Sequence, residues 1–91
     1  MDKIAKHIIF QGRVQGVGFR FTALNIANRY ELTGQVRNMP NGTVEMIAQG
    51  NKDDIKNCIR DIKESFASHL RETKITEMNI NPQYKDFKIT F

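Results

Sequence analysis

The sequence has a single cysteine, Cys58. A lone cysteine excludes an internal disulfide and any CxxC metal or redox motif, and that scarcity fits a reducing compartment. No apolar run approaches the roughly 20 residues that a membrane-spanning helix needs. The opening residues, Met1 to His7, lack the apolar core of a secretory signal, so the expected location is the cytoplasm. Runs of like charge are missing too. Lysine and arginine total 14 against 10 acidic residues, a net charge of +4, but they are scattered. That balance favours an anionic ligand, and the scatter leans against a nucleic-acid-binding tail. Repeats, linkers and low-complexity stretches are absent. Ninety-one residues predict one domain, 1–91, because a second core would not fit.

What is present falls into an ordered series of elements. Residues 5 to 11 read as a strand whose middle, His7-Ile8-Ile9-Phe10, is apolar on both faces, as in the centre of a sheet. Phe19, Ala23, Ile26, Ala27 and Tyr30 then share one helical stripe, which predicts a helix from Phe21 to Tyr30 with Thr22 as its N-cap. Leu32 to Asn38 reads as a second strand, and Met39-Pro40-Asn41-Gly42 as a turn. Thr43 to Gln49 alternates and closes an antiparallel hairpin, with Gly50 ending it. Asn51 is a good N-cap, with Asp53 and Asp54 in the first turn behind it. Ile55, Cys58, Ile59, Ile62 and Phe66 form the stripe of a second helix, Lys52 to Phe66. Ser68 to Thr73 is polar and predicts a loop. Lys74 to Asn81 reads as a weaker strand whose spacing slips once, which suits a bulge or an edge position. Phe87 to Phe91 alternates and supplies a continued fourth or a short fifth strand. The order β-α-β-β-α-β predicts an α+β fold: a ferredoxin-like, split βαβ sandwich with an antiparallel sheet and both helices on one face.

The stretch Gly12-Arg13-Val14-Gln15-Gly16-Val17-Gly18-Phe19-Arg20 joins the first strand to the first helix. Glycine takes positive φ at little cost, so such a loop can turn several N–H groups toward one point ahead of a helix N-terminus. Arg20 adds a planar fork of donors suited to phosphate. Glycine-rich turns also occur simply as connectors. No Gly-Lys-Ser/Thr closes this one, and G-x-G-x-x-G is absent, so it is neither a Walker A loop nor a dinucleotide fingerprint. Asn38, at the end of the second strand, is the second candidate. An Asn beside a turn often satisfies its own backbone. In a split βαβ unit, however, the loop after strand one and the end of strand two come together, and an Asn amide can then orient a water beside a bound phosphoryl group. Cys58 reads as core, and Asp53, Asp54 and Asp61 as surface or capping residues. His7 and His69 show no obvious carboxylate partner in the sequence, so neither reads as a base or a ligand.

Gly12 to Arg20 closely resembles the signature of the acylphosphatases. A second motif of that family appears as Gly34-x-Val36-Arg37-Asn38-x-x-x-Gly42-x-Val44, followed by Gly50, and Phe87-x-Ile89 is similar to its last strand. The resemblance covers essentially the whole chain. It implies the same fold, and hydrolysis of the carboxyl–phosphate bond of acyl phosphates without metal or cofactor. It implies Arg20 and Asn38 as catalytic residues. The amides of Gln15, Gly16, Val17, Gly18, Phe19 and Arg20 would be the phosphate cradle. It also implies a small-molecule substrate; no nucleic-acid or membrane partner is expected from the charge scatter and the lack of a long apolar run, and a monomer is the default expectation. Two positions depart from the pattern: Gln35 stands where an aromatic is usual, and Phe10 where a smaller aliphatic is usual. These departures bear on substrate preference or stability.

Two other functions compete. Val17-Gly18-Phe19-Arg20-Phe21 looks like part of an RNP1 motif, which would suit an RRM-like RNA-binding module. That motif belongs on a central strand with outward aromatics, and Thr43 to Gln49 has none. The chain also resembles the acylphosphatase-like domains of hydrogenase maturation proteins that transfer carbamoyl groups; at 91 residues with no further domain, a free-standing protein is the expectation.

Overall fold

In the computed structural model, which describes residues 3–91, the apolar run His7 to Phe10 sits inside β1 (Lys3–Gly12). The expected span 1–91 includes Met1 and Asp2, which lie outside the described residues. The chain continues through α1 (Phe19–Arg29), β2 (Thr33–Asn38), β3 (Val44–Asn51), α2 (Lys52–Ser65), β4 (Leu70–Met78) and β5 (Phe87–Ile89). The strands form one sheet in the order β4-β1-β3-β2-β5. β1 runs antiparallel to both neighbours, β3 and β4, so it lies inside the sheet; Ile8 and Phe10 are buried on one face, and His7 and Ile9 are half-buried on the other.

Strand alternation directs Ile8 and Phe10, Val36, and Val44, Met46 and Ala48 to one face, where all are fully buried. Both helices cover that face. α1 contributes Phe19, Ala23, Ile26 and Ala27; α2 contributes Ile55, Cys58, Ile59 and Ile62. Each large side chain removed from water there stabilises the fold by roughly 1.5–3 kcal/mol. The Tyr30 hydroxyl donates to Asp61 Oδ2 at 2.5 Å and ties the end of α1 to α2. Burial pushes the Cys58 thiol up to about 12, as its core position requires. The ferredoxin-like reading therefore holds.

Four elements depart from the expectation. α1 begins at Phe19, two residues before the expected Phe21. Its N-cap is Gly18 in the left-handed conformation, not Thr22. β3 runs through Gly50 to Asn51, whose side chain accepts from the Asp53 amide and caps α2. The polar stretch read as a loop belongs largely to β4, which starts at Leu70. As an edge strand packed on one side only, it shows no apolar alternation over its first half. The register shifts at Gln11/Gly12, so the irregularity lies earlier than the spacing suggested. The last strand is a separate β5, and it pairs parallel with β2, which makes the sheet mixed at that edge.

β4 and β5 lie at opposite edges, so the segment joining them must cross the sheet. It crosses the face that carries no helix. Gln49 points to that face and is 5% exposed. Its Nε2 donates to the Asn81 carbonyl at 3.1 Å, and its Oε1 accepts from the Asn81 amide at 2.6 Å. On the same face, Glu45 accepts from His7 Nε2 at 2.9 Å and from Arg37 Nε at 2.7 Å. The sequence reading gave His7 no carboxylate partner. His7 pairs with Ile47, and Glu45 lies two residues along β3 on the same face, so the diagonal across the strands supplies one.

Candidate active site

Gly16 and Gly18 adopt φ of 77° and 76°. A Cβ built on either meets nothing within 4 Å, so backbone conformation, and not crowding, calls for glycine there. With these turns the loop runs straight into α1. The first N–H groups of a helix have no intrahelical acceptor. Here no side chain caps them, and no acidic residue stands in the first turn. The result is an open, electropositive helix N-terminus with Arg20 as its second residue, a setting that attracts an anion.

A cleft of about 210 Å³ opens at this point. Val14, Gly16, Gly18, Phe19 and Arg20 line it from the loop and α1, and Asn38 enters from the end of β2. Arg20 and Asn38 thus share one cleft, as the sequence reading required. Asn38 Oδ1 is buried with no hydrogen-bond partner among the described residues. The alternative, in which this amide serves its own turn, does not hold; Asn41 does that work, accepting from the Thr43 amide and hydroxyl. A buried carbonyl oxygen without a donor is costly unless something fills the gap.

Gln15 and Val17 do not line the cleft. The Gln15 side chain instead reaches the hairpin, where Nε2 donates to the carbonyls of Met39 and Thr43, both at 2.9 Å. Those residues flank Asn38 and its ladder partner Val44. One side chain therefore fixes the distance between the loop and the Asn38 strand end. Gln35 lies on the helix-free face, paired with Ile47 and Lys88, and is not part of the cleft. Phe10 is fully buried and packs its ring 4.9 Å from that of Phe19, so its effect is on the core beneath the loop.

Phe21, Ile89 and Phe91 complete the cleft, and the sequence reading named none of the three as a site residue. Phe21 left a signal: it falls off the apolar stripe of its own helix. Larger clefts, of about 490, 490, 460 and 250 Å³, lie elsewhere, and none of these takes in any residue of 12–20. Size does not choose the site; convergent donors do. Among the described residues, no three His, Cys, Asp or Glu side chains gather closely enough to hold a metal ion. The string Val17 to Phe21 lies in the loop and first turn of α1, away from any strand.

Comparison with known proteins gives one answer. The family model "Acylphosphatase" matches residues 6–89. The acylphosphatase of Staphylococcus haemolyticus is 39% identical over 85 residues, 91% of this chain and 94% of that protein. The crystal structure of acylphosphatase from Bacillus subtilis superposes with a TM-score of 0.89 at 31% identity, covering 97% of this chain and 99% of that one. Full-length HypF, solved in its phosphate- and nucleotide-bound form, matches with a TM-score of 0.88 at 36% identity. That match covers 99% of this chain and 12% of HypF.

Proposed function

The chain belongs to the acylphosphatase family, whose reaction is the hydrolysis of acyl phosphates, and from that premise we propose how its residues divide the work. The amides of the Gln15–Arg20 loop and the Arg20 guanidinium hold the phosphoryl oxygens. They neutralise the charge that builds on those oxygens, which is the main task in phosphoryl transfer. Asn38 binds the attacking water through its amide and sets it in line with phosphorus. The water oxygen bonds to phosphorus as the bond from phosphorus to the acyl oxygen breaks. The carboxylate leaves with the electron pair, and a phosphate oxygen takes the water's proton. Among the described residues, no Asp, Glu or His side chain lines the cleft to compete for that proton. The carboxylate is a good leaving group, so positioning and charge neutralisation suffice.

One observation carries this reading. Arg20 and Asn38, from different elements, meet at a helix N-terminus that no side chain caps. We read the chain as one domain acting as a cytoplasmic monomer on small acyl phosphates, with no cofactor, metal, nucleic acid or membrane in the scheme.

The test is benzoyl phosphate hydrolysis with a chelator present. Wild type turns over. Arg20→Ala loses on the order of 10³-fold or more, in the range for an arginine serving transferred phosphoryl groups. Asn38→Ala loses about 10²–10³-fold, as for removal of one preorganised group. Arg20→Lys is also severe, because a point charge does not reproduce the fork. Near-normal turnover by Arg20→Lys refutes its bidentate role.

A further inference from the structure

The cleft has an aromatic rim that phosphate binding does not explain. Among the described residues only five large hydrophobic side chains are exposed, and two of them, Phe21 at 64% and Phe91 at 98%, line this same cleft. Neither belongs to the core cluster. Phe21 lies off the buried stripe of α1, which runs Phe19, Ala23, Ile26 and Ala27. The fold thus gains little from an aromatic at either place. The Phe91 ring lies 5.4 Å from Arg20 Cζ, measured to its centroid, so a π-face rests beside the guanidinium.

We propose that Phe21 and Phe91 form the acyl subsite and that it favours an aromatic acyl group. The inference rests on the phosphate placement given above. With phosphorus seated on the loop amides and Arg20, the carbonyl carbon is two bonds away, and its substituent enters the space between these residues. Ile89 adds an aliphatic wall to that space. A benzoyl ring meets both rings and the wall; an acetyl methyl leaves them exposed to water. Aromatic contacts of this kind contribute beyond the area they bury.

The experiment compares kcat/KM for benzoyl phosphate and acetyl phosphate in wild type, Phe21→Ala, Phe91→Ala, the double variant and Phe21→Tyr. Taking the ratio of the two substrates cancels their intrinsic reactivity between variants. In parallel, calorimetry measures the binding of phenylphosphonate and methylphosphonate, which present the same anion with and without a ring. The benzoyl-to-acetyl ratio should fall about fivefold to tenfold in each alanine variant and further in the double variant, while Phe21→Tyr keeps it. Phenylphosphonate should bind wild type about tenfold more tightly than methylphosphonate, and the double variant should lose that margin. A ratio unmoved in the double variant, with both substrates still hydrolysed, overturns the acyl subsite and leaves the proposed chemistry standing. Equal binding of the two phosphonates by wild type also overturns it. A phenylphosphonate margin that disappears with the rings, in a protein that hydrolyses neither acyl phosphate, supports the subsite and sinks the chemistry instead.

Discussion

Gln15→Ala separates positioning from stability. Gln15 Nε2 donates two bonds of 2.9 Å, to the Met39 and Thr43 carbonyls, and both are exposed. Water replaces an exposed donor readily, so each bond contributes near the lower end of the usual 0.5–1.5 kcal/mol. The variant should therefore lose about 1 kcal/mol of stability, a Tm drop of about 4–8 °C for a chain of this size. The cost to catalysis should be larger. These two bonds fix the loop that carries Arg20 against the strand end that carries Asn38. A displacement of about 1 Å between a held phosphoryl group and its attacking water costs on the order of 10²-fold. We expect kcat/KM for benzoyl phosphate to fall 10- to 100-fold at 25 °C, where the variant remains folded. Repeating the substitution in an Asn38→Ala background should cost much less, because there is no longer a positioned water to misplace. Strict additivity in that cycle, or an activity loss no greater than the fraction unfolded, would refute the tether.

Three further outcomes follow from residues outside the cleft. Burial alone would raise the Glu45 carboxyl, but its bonds to His7 and Arg37 outweigh that and hold it below its ordinary value. Such a group stabilises the fold above its unfolded pKa of about 4.3 and ceases to do so as pH falls through the lower folded value. Glu45→Gln should thus melt below wild type at neutral pH, and the two Tm curves should converge as pH falls below about 4.3 and through the lower folded value; curves that stay parallel count against the His7–Glu45–Arg37 cluster. With its thiol pushed up to about 12 and its side chain fully buried, Cys58 should resist iodoacetamide in the native protein and react in urea, with turnover unchanged by the reagent. Gln49→Leu leaves both polar groups of the Asn81 backbone without their partner, at about 1–3 kcal/mol each. Its Tm should fall by more than about 8 °C, while turnover at 25 °C persists, since the β3 end that holds Gln49 is remote from the cleft.

How legible each part was depended on whether its cause is local. The stripe of α2 and its Asn51 cap were readable because a helix buries one face and caps its own end. β4 was half missed. It is an edge strand whose polar residues answer to β1, and that pairing is not encoded within the stretch itself. The parallel pairing of β5 escaped for the same reason, as did the Glu45 partner of His7. That Arg20 and Asn38 share a cleft was legible because a split βαβ unit brings the loop after β1 to the end of β2. The start of α1 was misplaced because Thr22 looks like a cap, whereas this helix leaves its N-terminus uncapped where an anion is proposed to bind. Phe21 and Phe91 were read only as the start of a helix, with Phe21 also in an RNP1-like string, and the end of a strand, because the cleft they line is formed by distant elements.

Four consecutive residues show why so small a cleft suffices. In a helix successive side chains diverge by about 100°, so neighbours at its first turn face different surroundings. Gly18 makes the left-handed turn that opens the helix. Phe19, 1% exposed, enters the core, with its ring 4.9 Å from that of Phe10 and 4.6 Å from that of Phe66. It thereby locks the helix start to β1 and to the end of α2. Arg20 follows into the cleft, and Phe21 reaches its rim. The position of the guanidinium is then set by the residue before it, through packing that no ligand has to organise. Preorganisation of that kind costs nothing at the moment of reaction. Phe19→Ala should therefore destabilise the protein by about 3–5 kcal/mol, and phosphate affinity in whatever remains folded should drop with it. Unchanged phosphate binding in a folded Phe19→Ala protein would show that Arg20 needs no such anchor.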